Sequence, residues 1–396
     1  MSATRIAFAA NARYGAGGQG EFLRLMASAL AKTPDATVYS RFTPAGPTSG
    51  MRTVNVPFSG TLRAQFFALV LGTRGLRRRQ DWLTLLNDRD FDARVAAAID
   101  TPALFDGVMA QCADTVRHLK RGSTRVVLTC LNTHIEHLSS VMAAEYRRVG
   151  AAGPSFLHRR MIARALHEID AADHIRVNSL LAKGTFVDAG VAAERITIIH
   201  PSVDLDHFVP SAKTDNVFRV IAISSIDPRK GIHDLLQAFD DARIPNAELV
   251  IIGGTGDRWS REMMARYRAR LPNLSCRVVD ITSVPSAETF GPASVLVHAA
   301  VEDGYGLVVP QALASGRPVI VTRTSGAAEL VMDGYNGFVV DPQSPSQIAD
   351  RLQTLAHDQT LWSSMCRVAR PSVEHLSYGR FADQTMGLYA RVLSGV

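Results

Sequence analysis

One turn in the second half of the chain carries residues that could do chemistry on an anionic substrate. Residues 303–308 hold a Gly-x-Gly sequence between an apolar run typical of a buried strand and a helix predicted to open at Ala312. Free backbone N–H groups and the positive end of a helix dipole favour an anion at such a turn. Asp303 before it and Gln311 after it add side-chain acceptors suited to sugar or ribose hydroxyls. The N–H groups predicted to bind phosphate or sugar oxygens belong to Tyr305, Gly306, Leu307 and Val308.

Arg229 and Lys230 form a second candidate, because they follow another predicted strand and stand just before Gly231 and a helix. Two cations at the carboxyl end of a strand can neutralise the negative charge that grows on a leaving diphosphate. The alternative is a solvated surface pair with no ligand. The first candidate supports the diphosphate interpretation, since both clusters suit one phosphorylated substrate.

The first strand is followed by a Gly-x-Gly-x-x-Gly sequence over residues 15–20, which includes Gly17 and Gly18. This sequence resembles a dinucleotide fingerprint, which also needs a carboxylate at the end of the second strand to hold the ribose. The residues there are Tyr39, Ser40 and Arg41, so the pattern argues against NAD. A nicotinamide-dependent oxidoreductase is a remote alternative, and a tight turn without any ligand is another.

His134 ends an apolar strand of the first half, and His137 lies three residues further on. Neither has cysteine, carboxylate or histidine at a spacing that completes a metal site. His167 and Glu168 lack the second histidine of a zinc helix, since Ala171 stands at that position. We therefore predict no metal and no cofactor. A buried structural role is the alternative for His134.

The run Glu302 to Ala312 resembles the signature Glu-Gly-Phe-Gly-x4-Glu of family 4 glycosyltransferases, with Asp303 and Gln311 at the two glutamate positions. The resemblance continues through residues 325–329 and 333–342 and is visible from 126 to 210. One arginine of the family pattern is replaced here by Ser225. The resemblance implies a retaining GT-B enzyme, with two Rossmann-like domains whose parallel sheets face a central cleft.

The same resemblance assigns roles to single residues. Lys230 and Arg229 would hold the diphosphate, and Gly17 and Gly18 would approach it from the opposite domain. Further roles follow for the transferred sugar and the nucleotide: His134 beside the sugar, Asp303 on its hydroxyls and Gln311 on the ribose. The segment Asp204-Leu205-Asp206 corresponds to the family's interdomain region, so we interpret Asp204 as a structural cap and not as a metal ligand.

Strand-like and helix-like segments alternate along the chain, which is typical of parallel sheets with crossover helices. The pattern breaks at a polar stretch that contains Pro210 and then begins again. We predict an acceptor domain over residues 1–205, a linker over 206–216, a donor domain over 217–378 and a returning helix over 379–396. Predicted strands cover 5–11, 37–40, 125–131, 174–178, 197–200, 219–224, 248–252, 277–279, 295–298 and 318–321; predicted helices include 20–32 and 232–241.

Composition limits the classes of partner. The chain has 396 residues, of which 46% are hydrophobic and 20% charged, and a net charge of +6. These values fit a globular protein with anionic ligands, and no nucleic-acid motif is present. Four scattered cysteines favour a reducing compartment. We expect a cytoplasmic protein.

Residues 62–86 combine apolar side chains with Trp82 and an arginine cluster that includes Arg77, Arg78 and Arg79. A basic amphipathic segment with an aromatic residue predicts attachment to an anionic membrane surface, at the inner face of the cell membrane. The alternative is a helix with one buried and one solvated face. The resemblance implies a nucleotide diphosphate sugar as donor. Because many acceptors of the resembled family are lipid-linked, we expect a glycan or lipid-linked acceptor. A non-catalytic nucleotide-binding or scaffolding subunit with a decayed donor site is the main alternative.

Overall fold

The computed structural model describes residues 5–43, 51–57, 80–151, 157–254, 258–277, 285 and 287–395. Within these ranges the chain forms two parallel sheets with helices between the strands. The strands are β1 Ile6–Arg13, β2 Ala36–Phe42, β3 Arg52–Asn55, β4 Leu104–Val108, β5 Arg125–Cys130, β6 His174–Val177, β7 Ile196–Ile198, β8 Phe218–Ile223, β9 Ala247–Ile252, β10 Leu274–Arg277, β11 Val295–His298, β12 Val319–Thr322 and β13 Gly337–Val340.

The described helices alternate with these strands. They are α1 Gly17–Leu30, α2 Gln80–Ala98, α3 Ala113–Leu119, α4 Ile135–Arg148, α5 Arg159–Ala171, α6 Leu180–Asp188, α7 Ile232–Ala242, α8 Arg258–Arg270, α9 Ala287–Phe290, α10 Val308–Ala314, α11 Pro345–His357, α12 Gln359–Ala369 and α13 Tyr378–Ser394. Short 3₁₀ turns cover Ala193–Arg195, Pro228–Lys230, Gly326–Leu330 and Pro371–Val373.

The first sheet has the order β3-β2-β1-β4-β5-β6-β7, and every described pairing in it is parallel. The strand order reverses between β1 and β4, which places a crevice at their carboxyl ends. Strand β4 is buried along its whole length. The sequence analysis did not predict this strand, because Asp106 and Gly107 interrupt its apolar residues.

The second sheet repeats the arrangement with the order β10-β9-β8-β11-β12-β13. Its crevice lies between β8 and β11, which pair through Val295 with Val220 and Leu296 with Ile221. The loops that leave these two strands carry both candidate clusters of the second half. The predicted α/β architecture of two parallel sheets is confirmed.

Two predicted helix starts are wrong. Helix α10 begins at Val308, four residues before Ala312, so the Gly-x-Gly turn feeds the helix with no intervening loop. Helix α1 begins at Gly17, so Gly17 and Gly18 form its first turn. In both places glycine residues favour a loop, so the predicted helix start is too late. Gly18, however, has an ordinary backbone conformation that a helix accepts.

The last helix packs against the first sheet. Phe381 of α13 meets Phe22 of α1 edge to face, with ring centroids 6.2 Å apart. The Arg176 guanidinium lies between these rings, at 4.7 Å from the Phe381 centroid and 5.0 Å from the Phe22 centroid. Tyr389 donates to the buried Asp106 carboxylate at 2.7 Å. A buried polar cluster therefore ties the chain terminus to the first domain.

The membrane prediction over residues 62–86 lies mostly outside the described residues. Of its described part, Leu85 is buried in the core, while the Trp82 side chain is 42% exposed. Among the helices that the structure describes, none combines the length and apolarity needed to span a bilayer.

Replacing Tyr389 with Phe should destabilise the protein, because the buried Asp106 carboxylate loses a hydrogen-bond donor. We expect a loss of about 1–3 kcal/mol in the free energy of unfolding. Denaturant unfolding followed by circular dichroism measures it. The control is Tyr335→Phe, since Tyr335 is exposed on a surface turn and should change stability by less than about 0.5 kcal/mol. Equal stability of the two variants would contradict the anchoring role.

Candidate active site

The Gly-x-Gly turn lies at the carboxyl end of β11 and leads into α10. Gly306 has φ = 90°, and a Cβ at this position would lie 2.9 Å from His298 Nε2. Only glycine fits such a left-handed and crowded position without strain. No hydrogen bond within the described residues uses the N–H groups of Gly306, Leu307 and Val308. The turn thus presents a row of N–H groups to a ligand.

Lys230 and Asp303, both predicted site residues, contact each other directly. Lys230 Nζ lies 2.6 Å from Asp303 Oδ2, and His298 Nε2 lies 3.1 Å from the same oxygen. Burial raises the pKa of the Asp303 carboxyl, but Lys230 and His298 outweigh burial and hold the pKa well below its usual range. Asp303 is therefore an anion at neutral pH. Its Oδ1 makes one long contact, 3.4 Å from the Tyr305 N–H.

Arg229 pairs with a carboxylate that we did not predict as a site residue. Its NH1 lies 2.9 Å from Glu302 Oε2, and Glu302 is only 1% exposed. Burial lowers the pKa of the Arg229 guanidinium, but Glu302, Asp227 and Asp303 together outweigh burial and raise it, so Arg229 stays cationic. Two neighbouring cations thus face two neighbouring carboxylates across the β8–β11 crevice.

Gln311 and Tyr305 each bury a polar atom that lacks a partner within the described residues. Both residues are more than nine-tenths buried, yet Gln311 Oε1 and Tyr305 Oη have no hydrogen bond within the described residues. An orphaned buried acceptor is costly and calls for a ligand or water. Gln311 lies in the first turn of α10, the helix that follows the unpaired N–H groups in the chain.

The first domain contacts this turn closely. Thr133 Oγ1 donates to Glu302 Oε1 at 2.8 Å, and Ser179 Oγ donates to the Gly304 carbonyl oxygen at 2.8 Å. A Cβ on Gly304 would lie 2.3 Å from the Leu131 carbonyl oxygen, a distance that real side chains do not reach. The carboxyl edges of the two sheets therefore face each other with the turn between them.

Glu329 makes a further contact between the domains. It accepts from the Leu180 N–H at 2.9 Å and lies 3.1 Å from His200 Nδ1. From the sequence, Glu329 could line the cleft or stabilise the N-terminus of the next helix in the chain, and the second role was preferred. The structure places it at the start of α6, a helix of the first domain.

His134 lies one residue from the contact between Thr133 and Glu302, but its own ring packs into the first domain. The ring meets Phe186 edge to face at 5.1 Å, and the His134 N–H donates to Thr185 Oγ1. Burial lowers the pKa of the imidazole, which is therefore neutral at pH 7. Gly17 and Gly18 are exposed at the start of α1, and no described hydrogen bond joins them to the second domain.

Asp204, predicted as a structural cap, accepts from the His207 N–H at 3.0 Å. A cluster that we did not predict contains Glu145, His233 and Asp234, whose ligand atoms lie within 4.8 Å of one another. Arg148 occupies it, with NH2 at 2.7 Å from Glu145 Oε1 and 2.9 Å from Asp234 Oδ2. Because a cation already fills this space, we interpret the cluster as an ion-pair network between α4 and α7.

A polar cluster also occupies the carboxyl edge of the first sheet. Arg41 of β2 donates to Asn11 Oδ1 at 2.7 Å and contacts Asp90 at 3.1 Å. Asn11 Nδ2 donates to Asp88 Oδ1 at 2.6 Å. Burial raises the pKa of the Asp88 carboxyl to about 6. Gln111 joins the cluster through the Asn11 N–H, so buried polar groups pair with one another at this edge.

Comparisons with known proteins agree with this geometry. The family model of glycosyl transferases group 1 matches residues 205–370. Residues 205–370 therefore match a domain of this family. A D-inositol 3-phosphate glycosyltransferase from Corynebacterium urealyticum is 28% identical over 257 residues, which are 59% of this chain and 60% of that relative. A second, from Paenarthrobacter aurescens, is 26% identical over 52% of this chain and 54% of its own length. The chain thus spans just over half the length of these curated relatives.

Solved structures show the same fold. A sucrose-phosphate synthase from Thermosynechococcus elongatus superposes with a TM-score of 0.73 at 19% identity and covers 99% of this chain and 100% of its own. The Anabaena protein HepE, solved in complex with UDP, gives 0.69 at 16% identity and covers 98% and 99%. The glycosyl transferases group 1 domain therefore belongs to a GT-B architecture, and the resemblance drawn from the sequence is confirmed.

Sequence reasoning missed Glu302, His298 and Thr133. Glu302 stands next to Asp303, so two adjacent carboxylates in this segment match two adjacent cations in another segment of the chain. This match of charges could have identified Glu302 from the sequence. His298 ends an apolar strand, as His134 does, which could have drawn attention to it. Thr133 gave no signal, because its contact with Glu302 exists only once the two sheets face each other.

Replacing Gly304 with Ala should force the turn away from the first domain, because the new Cβ would overlap Leu131 and Asn132. We expect a larger radius of gyration by X-ray scattering and a loss of stability of about 1–3 kcal/mol. The control is Gly387→Ala in α13, where no atom lies within 4 Å of the new Cβ. Unchanged scattering and stability of the Gly304 variant would show that the domains do not meet there.

Proposed function

We propose that the protein transfers a sugar from a nucleoside diphosphate sugar to a glycan or lipid-linked acceptor, with retention of anomeric configuration. The observation that carries this proposal is the juxtaposition of Lys230 and Asp303 with the unpaired N–H groups of the Gly-x-Gly turn. Cations and N–H groups suit phosphate, and a carboxylate suits sugar hydroxyls. The group 1 family domain over residues 205–370 supports the same chemistry.

The donor would lie along the carboxyl edge of the second sheet. Lys230 keeps two of its three N–H donors after pairing with Asp303, so it can bind the diphosphate without losing that partner. Gln311, with its orphaned buried oxygen, would accept from a ribose hydroxyl. Because UDP and UDP-glucose are bound by the Anabaena neighbour, UDP-glucose is the first donor to assay.

The chemical step would be dominated by positioning and charge. In a retaining transfer the acceptor attacks the face that the diphosphate leaves, and the departing phosphate helps remove the acceptor's proton. The protein then stabilises the charge that develops on the phosphate. Lys230 and Arg229 would carry this stabilisation, with Gly17 and Gly18 approaching from the first domain and His134 beside the transferred sugar.

The acceptor would bind at the first sheet's carboxyl edge, where Asn11, Arg41 and Asp88 gather. We propose a cytoplasmic protein that works at an anionic membrane surface through residues 62–86. Vesicle co-sedimentation of a variant with Arg77, Arg78 and Arg79 changed to Glu tests this attachment. The electrostatic attraction between these arginines and the anionic vesicles would weaken as the salt concentration rises.

A non-catalytic nucleotide-binding subunit is the second candidate. It is favoured by Ser225, which replaces a family arginine, and by the pairing of both site cations with carboxylates. Tight binding of a nucleoside diphosphate with no turnover of any donor sugar would favour this function over transfer.

Replacing Lys230 with Ala should reduce turnover by about 10²- to 10³-fold, or ~3 kcal/mol, because the leaving diphosphate loses a charge-stabilising donor. Release of nucleoside diphosphate from UDP-glucose, in the presence of acceptor, measures the rate. The matched control is Lys120→Ala, which removes a lysine–aspartate pair with Asp173 at the opposite edge of the first sheet. Equal turnover of the Lys230 variant and wild type would refute the assignment.

We propose that transfer needs no metal, since Lys230 and Arg229 occupy the place where a metal would neutralise phosphate. Activity measured with excess chelator should stay within about twofold of the untreated rate, because cations of the protein supply the charge stabilisation. The assay is repeated with magnesium or manganese added back. Collapse under chelator and recovery with metal would sink the proposal.

A further inference from the structure

Glu302 stands out because it connects the two domains at the site and has no assigned role. One carboxylate oxygen, Oε2, holds the Arg229 guanidinium at 2.9 Å. The other, Oε1, accepts from Thr133 Oγ1 at 2.8 Å, across the cleft. The side chain is 1% exposed, so these partners replace water almost completely. A single buried carboxylate thus divides its two oxygens between the donor site and the opposite domain.

We propose that Glu302 is a positioning residue that couples nucleotide binding to cleft closure. This inference rests on the proposed function, since it takes Arg229 as a ligand of the diphosphate. When Thr133 engages Oε1, the carboxylate is fixed, and Arg229 is held in one orientation at the edge of β8. When the cleft opens, Oε1 loses its partner, and the carboxylate that contacts Arg229 is no longer fixed from the opposite domain.

Other described hydrogen bonds across the cleft are different in kind. Ser179 donates to a backbone oxygen, and Leu180 donates to Glu329. Arg148 contacts Asp234 and His233, Gln343 donates to Glu145, and Trp259 donates to the Val149 carbonyl oxygen. None of these acceptors hydrogen-bonds to Arg229 or Lys230 in the described part of the chain. Thr133 and Glu302 therefore form the described cross-cleft link that ends on a side chain holding a site cation.

The coupling has a thermodynamic consequence. If only the closed state presents Arg229 in its binding orientation, the apparent dissociation constant of the nucleotide rises as the closed fraction falls. A hydrogen bond to a charged group, once lost, shifts such an equilibrium by about 10-fold or more. Removing the Thr133 hydroxyl should therefore weaken nucleotide binding, although Thr133 lies in the opposite domain and, in the described part of the chain, hydrogen-bonds to the donor site through Glu302 alone.

The test is calorimetric titration of the intact protein with UDP. Thr133→Val should raise the dissociation constant about 10-fold, whereas Thr133→Ser, which keeps the hydroxyl, should restore binding to within about threefold of wild type. Glu302→Gln should also weaken binding. The double variant Glu302→Gln/Thr133→Val should bind no worse than Glu302→Gln alone, because both changes break one link. Thr133→Ala replaces the valine variant if valine prevents folding.

Kinetics of UDP-glucose turnover give a second readout. The Thr133 variant should raise the donor KM about 10-fold and change kcat by less than about threefold, because bound donor still drives closure. Equal UDP binding by the Val, Ser and wild-type proteins would overturn the coupling, as would additive losses in the double variant. Wild-type protein that binds no UDP would overturn the donor assignment and this inference with it. That outcome is distinct from a failure confined to the Thr133 variants.

Discussion

The arrangement of the site depends on two carboxylate–cation pairs at the edge of the second sheet. Glu302 pairs with Arg229 and Asp303 with Lys230, and each pair joins residues 73 apart in the chain. The equal separations follow from the parallel pairing of β8 with β11, which brings their carboxyl ends side by side. Mostly buried charges of this kind need partners, so the pairs fix both loops relative to each other.

Glycine lets the rest of the site close around these pairs. Gly306 takes a left-handed conformation beside His298, and Gly304 leaves room for the backbone of Leu131. The first of these frees backbone N–H groups, while the second lets the opposite domain approach. One short turn therefore serves as anion site and domain contact together. The neighbouring carboxylates raise the pKa of the Arg229 guanidinium despite its burial, but the two charge pairs lower the net charge that a ligand meets.

Much of the fold could be predicted from the sequence because most of the buried parallel strands are short runs of apolar residues. Strand β11 was predicted at its observed bounds, and β8 within a residue. The two helix starts were wrong, since Gly17 and the residues before Ala312 were taken for loop on composition alone. Gly17 has φ = 62°, a left-handed conformation that favours glycine, so a glycine can also open a helix.

The site was predictable only in part. Lys230, Asp303 and Gln311 belong to short sequence motifs whose residue spacing indicates phosphate chemistry. The structure places these residues at one edge of the second sheet. Thr133 and Ser179 could not be found this way, because their contacts depend on how two domains face each other. His134 shows the opposite case: its position after a strand pointed to the cleft, yet its ring packs against Phe186.

We propose that a nucleoside diphosphate binds at the two charge pairs and the Gly-x-Gly turn. A crystal structure of the protein with UDP tests this site directly. We expect phosphate oxygens within hydrogen-bond distance of Lys230 Nζ and of the N–H groups of Gly306 to Val308, and a ribose hydroxyl at Gln311 Oε1. A diphosphate bound only at residues 15–20 of the first domain, with the turn unoccupied, would contradict it.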